Sequence, residues 1–281
     1  MSYKSRRLSE ALGVEIRCLD LRSIDAKTSR SLYQDFVDAG VMCVREQDLS
    51  PAEFLNFAHG FGEPIVQIYG QFNLPGFAQI GLLTSEDADS AGSGQRKIRG
   101  TSWHTDASYF ERPPKATMLH AQLVPQTGGD TDFLSTAAAY AAAPEALKSR
   151  ADGAVATHNY QSSRSPRQLI KRSTDQVDRF SEGTRHPLVR VCPDTGAKAL
   201  YLNPIRIECI DGLPRADSDT LLDELLAHCL QPQFRYRHQW QLGDVVIWDN
   251  RSVLHQANDD YDFRVERRRL IRIMLEGEVP V

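Results

Sequence analysis

Chemistry in this chain starts from His104 and Asp106, the only histidine in the sequence followed two residues later by a carboxylate. In an extended strand, residues i and i+2 project from the same face, so an imidazole and a carboxylate at this spacing reach one point in space. Together they offer two of the three ligands of a 2-His-1-carboxylate facial triad, the donor set of non-haem Fe(II) sites that keep open positions. A His-x-Asp triplet is a weak motif alone, and its second histidine must come from elsewhere. His255 is the best placed. It ends a strand predicted over 252–255 and precedes a polar loop over 256–262, so its ring can face a cavity. His59 falls at a helix end, His228 within a helix, and His120 inside a strand with no carboxylate nearby.

A second group of chemical residues lies near the C-terminus. Alternation puts Arg268, Leu270, Arg272 and Met274 on one face of a strand and Arg269, Ile271, Ile273 and Leu275 on the other. If the arginine face points inward, it needs an anion to compensate its desolvation, and the planar guanidinium fork suits a carboxylate. The other arrangement turns Arg268 and Arg272 to solvent and packs the isoleucines and Leu275 in the core. Periodicity by itself slightly favours that arrangement.

The elements that must position these residues are mostly strands. Residues 12–21 alternate as a half-buried strand, and a helix starting near 23–25 is ended by Gly40. Another strand is predicted over 41–45. Ser50-Pro51-Ala52-Glu53 has the form of a capping box, with proline at the first helical position of a helix that ends at Gly60. The stretch from 84 to 102 has little apolar content and reads as a lid-like loop leading into Trp103-His104. Further strands fall at 116–124, in a hairpin at 188–202 and repeatedly from 234 onward. Pro144 interrupts a helical stretch at 137–150, and an amphipathic helix covers 217–230. A polar basic insert at 158–186 carries Arg164, Arg167, Lys171, Arg172, Arg179 and Arg185, and suits a solvated face better than a cover over an anion. No internal repeat or linker divides the 281 residues. The expectation is a single domain over 1–281, mainly β with peripheral helices (α+β).

Composition narrows the partners. The net charge of −4 and pI near 6.1 give no basic field over the whole molecule, so neither nucleic acid nor an anionic membrane is the expected partner. Five cysteines without a CxxC pair suit reduced, buried thiols in a cytoplasmic protein. No apolar run reaches the length of a membrane span. Self-association as a homo-oligomer is left open.

Taken in order, His104-x-Asp106, Pro113-Pro114, Gly128-Gly129-Asp130-Thr131, Trp248-Asp249-Asn250-Arg251 leading to His255, and the arginines beyond it resemble the TauD/TfdA family of Fe(II)/2-oxoglutarate-dependent dioxygenases, from about Leu12 to the C-terminus. The resemblance implies a double-stranded β-helix core, the cupin-like jelly roll, with His104, Asp106 and His255 as iron ligands. It further implies that Thr131 and Arg268 hold the distal carboxylate of 2-oxoglutarate. Arg272 would lie nearer the iron, touching substrate or cosubstrate. The loop between His255 and Arg268 is about two residues longer than in the taurine enzymes, which leaves Arg267 and Arg269 open as counterparts of Arg268. Fe(II), 2-oxoglutarate and O2 are thus the implied cofactor and cosubstrates, with succinate and CO2 released. Related halogenases carry Gly or Ala where Asp106 stands, so hydroxylation is expected.

Taurine is not the expected substrate. Where taurine enzymes carry a histidine shortly after Phe61-Gly62-Glu63, this chain has Gln67, and Gly100 to Ser102 stand near the position of their asparagine. Arg272 still suggests a small organic acid or related metabolite, with Gln67, Tyr69 and Asn203 as candidates for the pocket lining. Two other readings remain at this level. One is a non-catalytic β-sandwich that binds an anion or partner through the basic insert and the C-terminal arginines; the other keeps the same iron site but uses it for desaturation or cyclisation.

Overall fold

The computed structural model describes residues 3–67, 70–85, 100–165 and 183–281. Its sixteen described strands are β1 (Lys4–Arg7), β2 (Val14–Arg17), β3 (Val41–Val44), β4 (Asn73–Leu74), β5 (Phe77–Thr84), β6 (Ala116–Leu123), β7 (Thr131–Ser135), β8 (Val155–His158), β9 (Thr184–Pro187), β10 (Val189–Val191), β11 (Lys198–Leu200), β12 (Ile207–Ile210), β13 (Arg235–His238), β14 (Val245–Asp249), β15 (Val253–Ala257) and β16 (Arg269–Leu275). Eight of them form one sheet in the order β1-β2-β3-β14-β6-β16-β5-β4, antiparallel except where β2 meets β3. A three-stranded sheet, β13-β7-β15, faces it across an interior where the Phe133 ring of β7 lies 5.5 Å from Trp248 of β14. In both sheets strands distant in sequence pair, β3 with β14, β14 with β6, β6 with β16 and β7 with β13 and β15, and the result is a jelly roll.

Five α-helices are described: α1 (Ala26–Ala39), α2 (Pro51–His59), α3 (Thr136–Ala141), α4 (Glu145–Ala151) and α5 (Arg215–Cys229). Their ends follow the sequence signals. Asp25 caps α1 at its start and Gly40, at φ 69°, closes it in the left-handed conformation that glycine adopts without strain. Ser50 and Glu53 form the reciprocal capping box of α2, and Pro144 separates α3 from α4.

Helices α1 and α2 decide which way the large sheet faces. Their Leu32, Phe36, Phe54 and Phe57 pack on the outer side of that sheet, against Met118, Val245, Ile247, Ile271, Ile273 and Leu275. The opposite side, with Leu119, Ala121, Val246, Trp248 and Leu270, joins Phe133 inside the sandwich. Both faces of β16 are therefore buried. Ile271, Ile273 and Leu275 do pack in a core, as periodicity suggested, but it is the core beneath the helices. Arg268 and Arg272, on the alternate face with Leu270 and Met274, turn inward and not to solvent.

The His-x-Asp segment differs from the extended strand expected of it. His104 makes one isolated bridge, to His255, and the chain turns over 106–109, with Ala107 at φ 45°. Side-chain hydrogen bonds hold this stretch where a strand ladder would otherwise do so. The lid-like reading of 84–102 rests mostly on residues outside those described, as does the middle of the basic insert, 166–182. Two flanking arginines of the insert are engaged in ion pairs: Arg164 with Asp219 and Asp223, and Arg185 with Asp211.

Candidate functional site

His104 and His255 meet because their backbones pair: His104 N–H donates to the His255 carbonyl at 3.0 Å and His255 N–H to the His104 carbonyl at 2.9 Å. Their ring centroids lie 4.2 Å apart. The strand pattern fixes the direction, since β15 sends Val253 into the interior and Leu254 into the core beneath α5, leaving His255 to point inward against Trp248 and Phe133. His104 Nδ1 lies 2.7 Å from the Ser102 carbonyl, which can only accept, so that nitrogen carries the proton and Nε2 keeps its lone pair. Nε2 of His104 is 4.0 Å from Asp106 Oδ1, and Nε2 of His255 is 4.0 Å from Oδ2. Neither separation is a hydrogen bond. The three groups each present one ligand atom, all within 4.8 Å of one another.

Electrostatics prepare these atoms for a cation. Burial pushes both imidazoles below their usual range, His255 to about 3 with the neighbouring His104 adding to the effect. Burial alone would raise the Asp106 carboxyl; His255, Arg272 and His104 outweigh it and hold the group below the ordinary carboxylate range. Two neutral imidazoles and one carboxylate, His104 partly buried and the other two buried, and none hydrogen-bonded to another, fit a divalent first-row metal.

Around the triad is a set of bonds that the sequence did not suggest. Thr117 on β6 donates its hydroxyl to Asp106 Oδ2 at 2.6 Å and lies 2.9 Å from Asn250 Nδ2. The Asn250 side-chain oxygen lies 3.4 Å from the Asp106 N–H, and the Asn250 carbonyl accepts the Thr105 hydroxyl at 2.8 Å. Asn203, fully buried, donates its amide to the Thr105 carbonyl and to Ser108 Oγ, each at 2.8 Å. The structure thus places this candidate pocket residue behind the His-x-Asp turn, bracing it.

A second polar centre lies between β7 and β16. Of Arg267, Arg268 and Arg269, Arg268 alone is buried. No carboxylate among the described residues pairs with it, its Nε has no hydrogen-bond partner, and burial pushes its pKa down to about 10. Its guanidinium sits 5.7 Å from the Trp240 ring centre, and the same indole donates to Thr131 Oγ1 at 3.0 Å. Trp240 therefore links the two residues the sequence singled out, although nothing in its own pattern marked it.

Arg272 donates to Gln67 Oε1 at 3.0 Å, and its charge acts on Asp106 and on both histidines. It faces Gly81 of β5, where an added Cβ would stand 3.3 Å from Gln67 Oε1 and 3.7 Å from Arg272 Nε. The missing side chain at Gly81 leaves that pair its room. Tyr69 lies outside the described residues. Arg206, not singled out by sequence, stacks between Tyr109 and Tyr160 at 4.7 and 4.8 Å and also lowers the His104 pKa.

Comparison with known proteins places the chain in a family. The family described as taurine catabolism dioxygenase TauD, TfdA matches residues 4–274. The α-ketoglutarate-dependent sulfate ester dioxygenase of Pseudomonas putida is 35% identical over 279 residues, covering 96% of this chain and 88% of the relative. The α-ketoglutarate-dependent 2,4-dichlorophenoxyacetate dioxygenase of Cupriavidus pinatubonensis is 33% identical, covering 95% and 96%. Among solved structures, AAD-2 in complex with Mn(II) and N-oxalylglycine superposes with a TM-score of 0.84 at 26% identity, covering 100% of this chain and 99% of that one.

Proposed function

The chain belongs to the taurine catabolism dioxygenase TauD, TfdA family, and from that premise we propose that His104, Asp106 and His255 hold its iron. It is an Fe(II)- and 2-oxoglutarate-dependent dioxygenase acting on a small organic substrate. The observation that carries the ligand assignment is the convergence of two imidazoles and one carboxylate, each with a ligand atom within 4.8 Å of the others. When bound, iron with 2-oxoglutarate and O2 supplies an oxidant, as the cosubstrate becomes succinate and CO2 and one oxygen atom is left for a substrate C–H bond.

Thr131 and Arg268 receive the distal carboxylate of 2-oxoglutarate. Supporting this is the buried guanidinium without a carboxylate partner, since an inward cation gains most from an anionic ligand. Arg272, oriented by Gln67, receives the acidic group of the substrate, which is a small organic anion such as a carboxylate, a sulfonate or a sulfate monoester. Similarity to enzymes named for sulfate esters and for a phenoxyacetate supports that class. The reaction is hydroxylation, and the machinery falls in one domain spanning 1–281.

Purified without oxygen, the protein with Fe(II) and 2-oxoglutarate should show a metal-to-ligand charge-transfer band that His104→Ala and His255→Ala abolish. A panel of organic anions, screened by substrate-dependent succinate release and product mass, should give at least one hydroxylated product. Arg272→Gln should raise KM for that substrate roughly 10-fold or more, as expected when a charge-assisted hydrogen bond is lost. The proposal fails if the band survives both histidine changes. The acidic-substrate assignment fails if only neutral compounds stimulate succinate release.

A further inference from the structure

We propose that Thr117 is a positioning residue that makes Asp106 a one-oxygen ligand, an inference resting on the reading of Asp106 as an iron ligand. The argument begins at Asn250. Its Oδ1 lies 3.0 Å from Trp248 Nε1, 3.3 Å from Thr105 Oγ1 and 3.4 Å from the Asp106 N–H. An indole N–H and a backbone N–H can only donate, so that end of the amide is the oxygen. The end facing Thr117 at 2.9 Å is then the NH2 group, and Thr117 Oγ1 must accept from it. A hydroxyl has one proton. With its oxygen accepting from Asn250, Thr117 directs that proton at Asp106 Oδ2, 2.6 Å away, within the short range of hydrogen bonds to an ionised acceptor.

The geometry leaves Thr117 little freedom. It is fully buried on the inner face of β6, opposite Trp248 on one neighbouring strand and Met274 on the other. A β-branched side chain in a strand is stiff at χ1, and burial keeps solvent from competing for the hydroxyl. Asp106 has one oxygen near each histidine, Oδ1 by His104 and Oδ2 by His255, so carboxylate geometry alone does not choose between them. Thr117 makes the choice by engaging Oδ2 and leaving Oδ1 for the metal. Ligation through both oxygens would occupy a coordination position otherwise open to 2-oxoglutarate or O2. The arrangement Trp248–Asn250–Thr117–Asp106 thus sets the number of open positions as well as the orientation of the carboxylate.

The test is anaerobic titration of the full-length protein with Fe(II), and with Co(II) as a spectroscopic substitute. Wild type, Thr117→Val, Thr117→Ala, Thr117→Ser and Asp106→Ala are compared, with thermal unfolding recorded for each. Valine keeps the shape and removes the hydroxyl, so metal affinity should fall about 10- to 100-fold, the usual effect of removing such a partner. The Co(II) absorption should also change, reporting altered coordination. Alanine, which cannot clash, should weaken binding in the same way, and serine should restore affinity to within a few-fold of wild type. The inference is overturned if folded Thr117→Val or Thr117→Ala binds metal with wild-type affinity and spectrum. Wild type binding no better than Asp106→Ala would instead remove the iron-ligand reading itself, and this inference with it.

Discussion

Arg268 is a buried cation whose counter-ion, on this reading, arrives with the cosubstrate. A guanidinium without a carboxylate partner destabilises the ligand-free fold, and a methionine of similar length would not need compensation. Arg268→Met should therefore raise ligand-free stability by on the order of 1 kcal/mol, the direction seen when buried charges are replaced by apolar groups. It should also abolish the stabilisation conferred by 2-oxoglutarate or N-oxalylglycine. That stabilisation in wild type should reach about 2.7 kcal/mol at a ligand concentration 100 times its Kd. Thermal melts of both proteins with and without N-oxalylglycine measure the effect; equal ligand shifts in the two would remove Arg268 from the cosubstrate site. At this scale the sequence revealed residues whose type carries the chemistry. His104, Asp106, His255 and the arginines stand out by the combination of type, spacing and order, because burial of an imidazole or guanidinium alone marks no site: His158, His238 and Arg45 are buried as well. Thr117, Asn250 and Trp240 were not legible as participants. Their roles depend on which atom they face across strands up to 145 residues apart, as for the Thr105–Asn250 contact, and an uncharged polar residue in a strand carries no local mark of such a partner.

Among the elements, β16 shows why strand periodicity could not choose between its faces. An alternation of period two separates Arg268 and Arg272 from Ile271 and Ile273 equally well whichever side is solvent. The decision is made by α1 and α2, which cover the back of the sheet and bury both sides of the strand. Local signals with a local cause were legible in advance: the capping box at Ser50, the glycine that ends α1, the proline between α3 and α4. The turn at 106–109 was not, because its shape comes from Asn250 and Asn203, which are distant in sequence. The glycine pair before β7 gives a test at this level. Gly128 has φ 74°, and a Cβ there would lie 2.6 Å from the backbone oxygen of Asp260. Gly128→Ala should therefore cost more than about 1 kcal/mol, combining an unfavourable backbone conformation with a clash that no side chain can relieve. Because this turn leads into Thr131, calorimetry should find 2-oxoglutarate binding weakened more than Co(II) binding. Equal losses for both ligands would mean that the turn supports the whole sandwich and not the cosubstrate pocket in particular.

Over the whole molecule, the strands that carry the N-terminal third are joined to those that carry the site through a buried chain of charges. Glu15 on β2 pairs with Arg45 just after β3 at 2.9 Å, and Arg45 pairs at 2.5 Å with Asp244, which stands at the entrance to β14. His238 of β13 approaches the same Asp244 oxygen at 3.1 Å, so the chain of contacts reaches from the second strand of the large sheet to the smaller one. Removing one partner of such a network costs more than the pair itself contributes, because the remaining charge stays buried. The Arg17 guanidinium, hydrogen-bonded to Glu15, together with Arg45 pulls this carboxyl down to about 2, against a burial effect that would raise it. The sign follows from linkage: an acid whose pKa is lower when folded adds stability above its unfolded value, near 4.5, and loses that stability as pH falls toward 2. Arg17 is partly exposed, so solvent screening reduces the contribution to on the order of 2 kcal/mol at neutral pH. Glu15→Gln should therefore lower stability by that amount at pH 7, and the gap to wild type should narrow through pH 4.5 and nearly close by pH 2. Urea denaturation of both proteins across this range tests the expectation. A difference that stayed constant with pH would mean that Glu15 acts through packing, and that the N-terminal strands are held to the sandwich by the apolar core beneath α1 and α2.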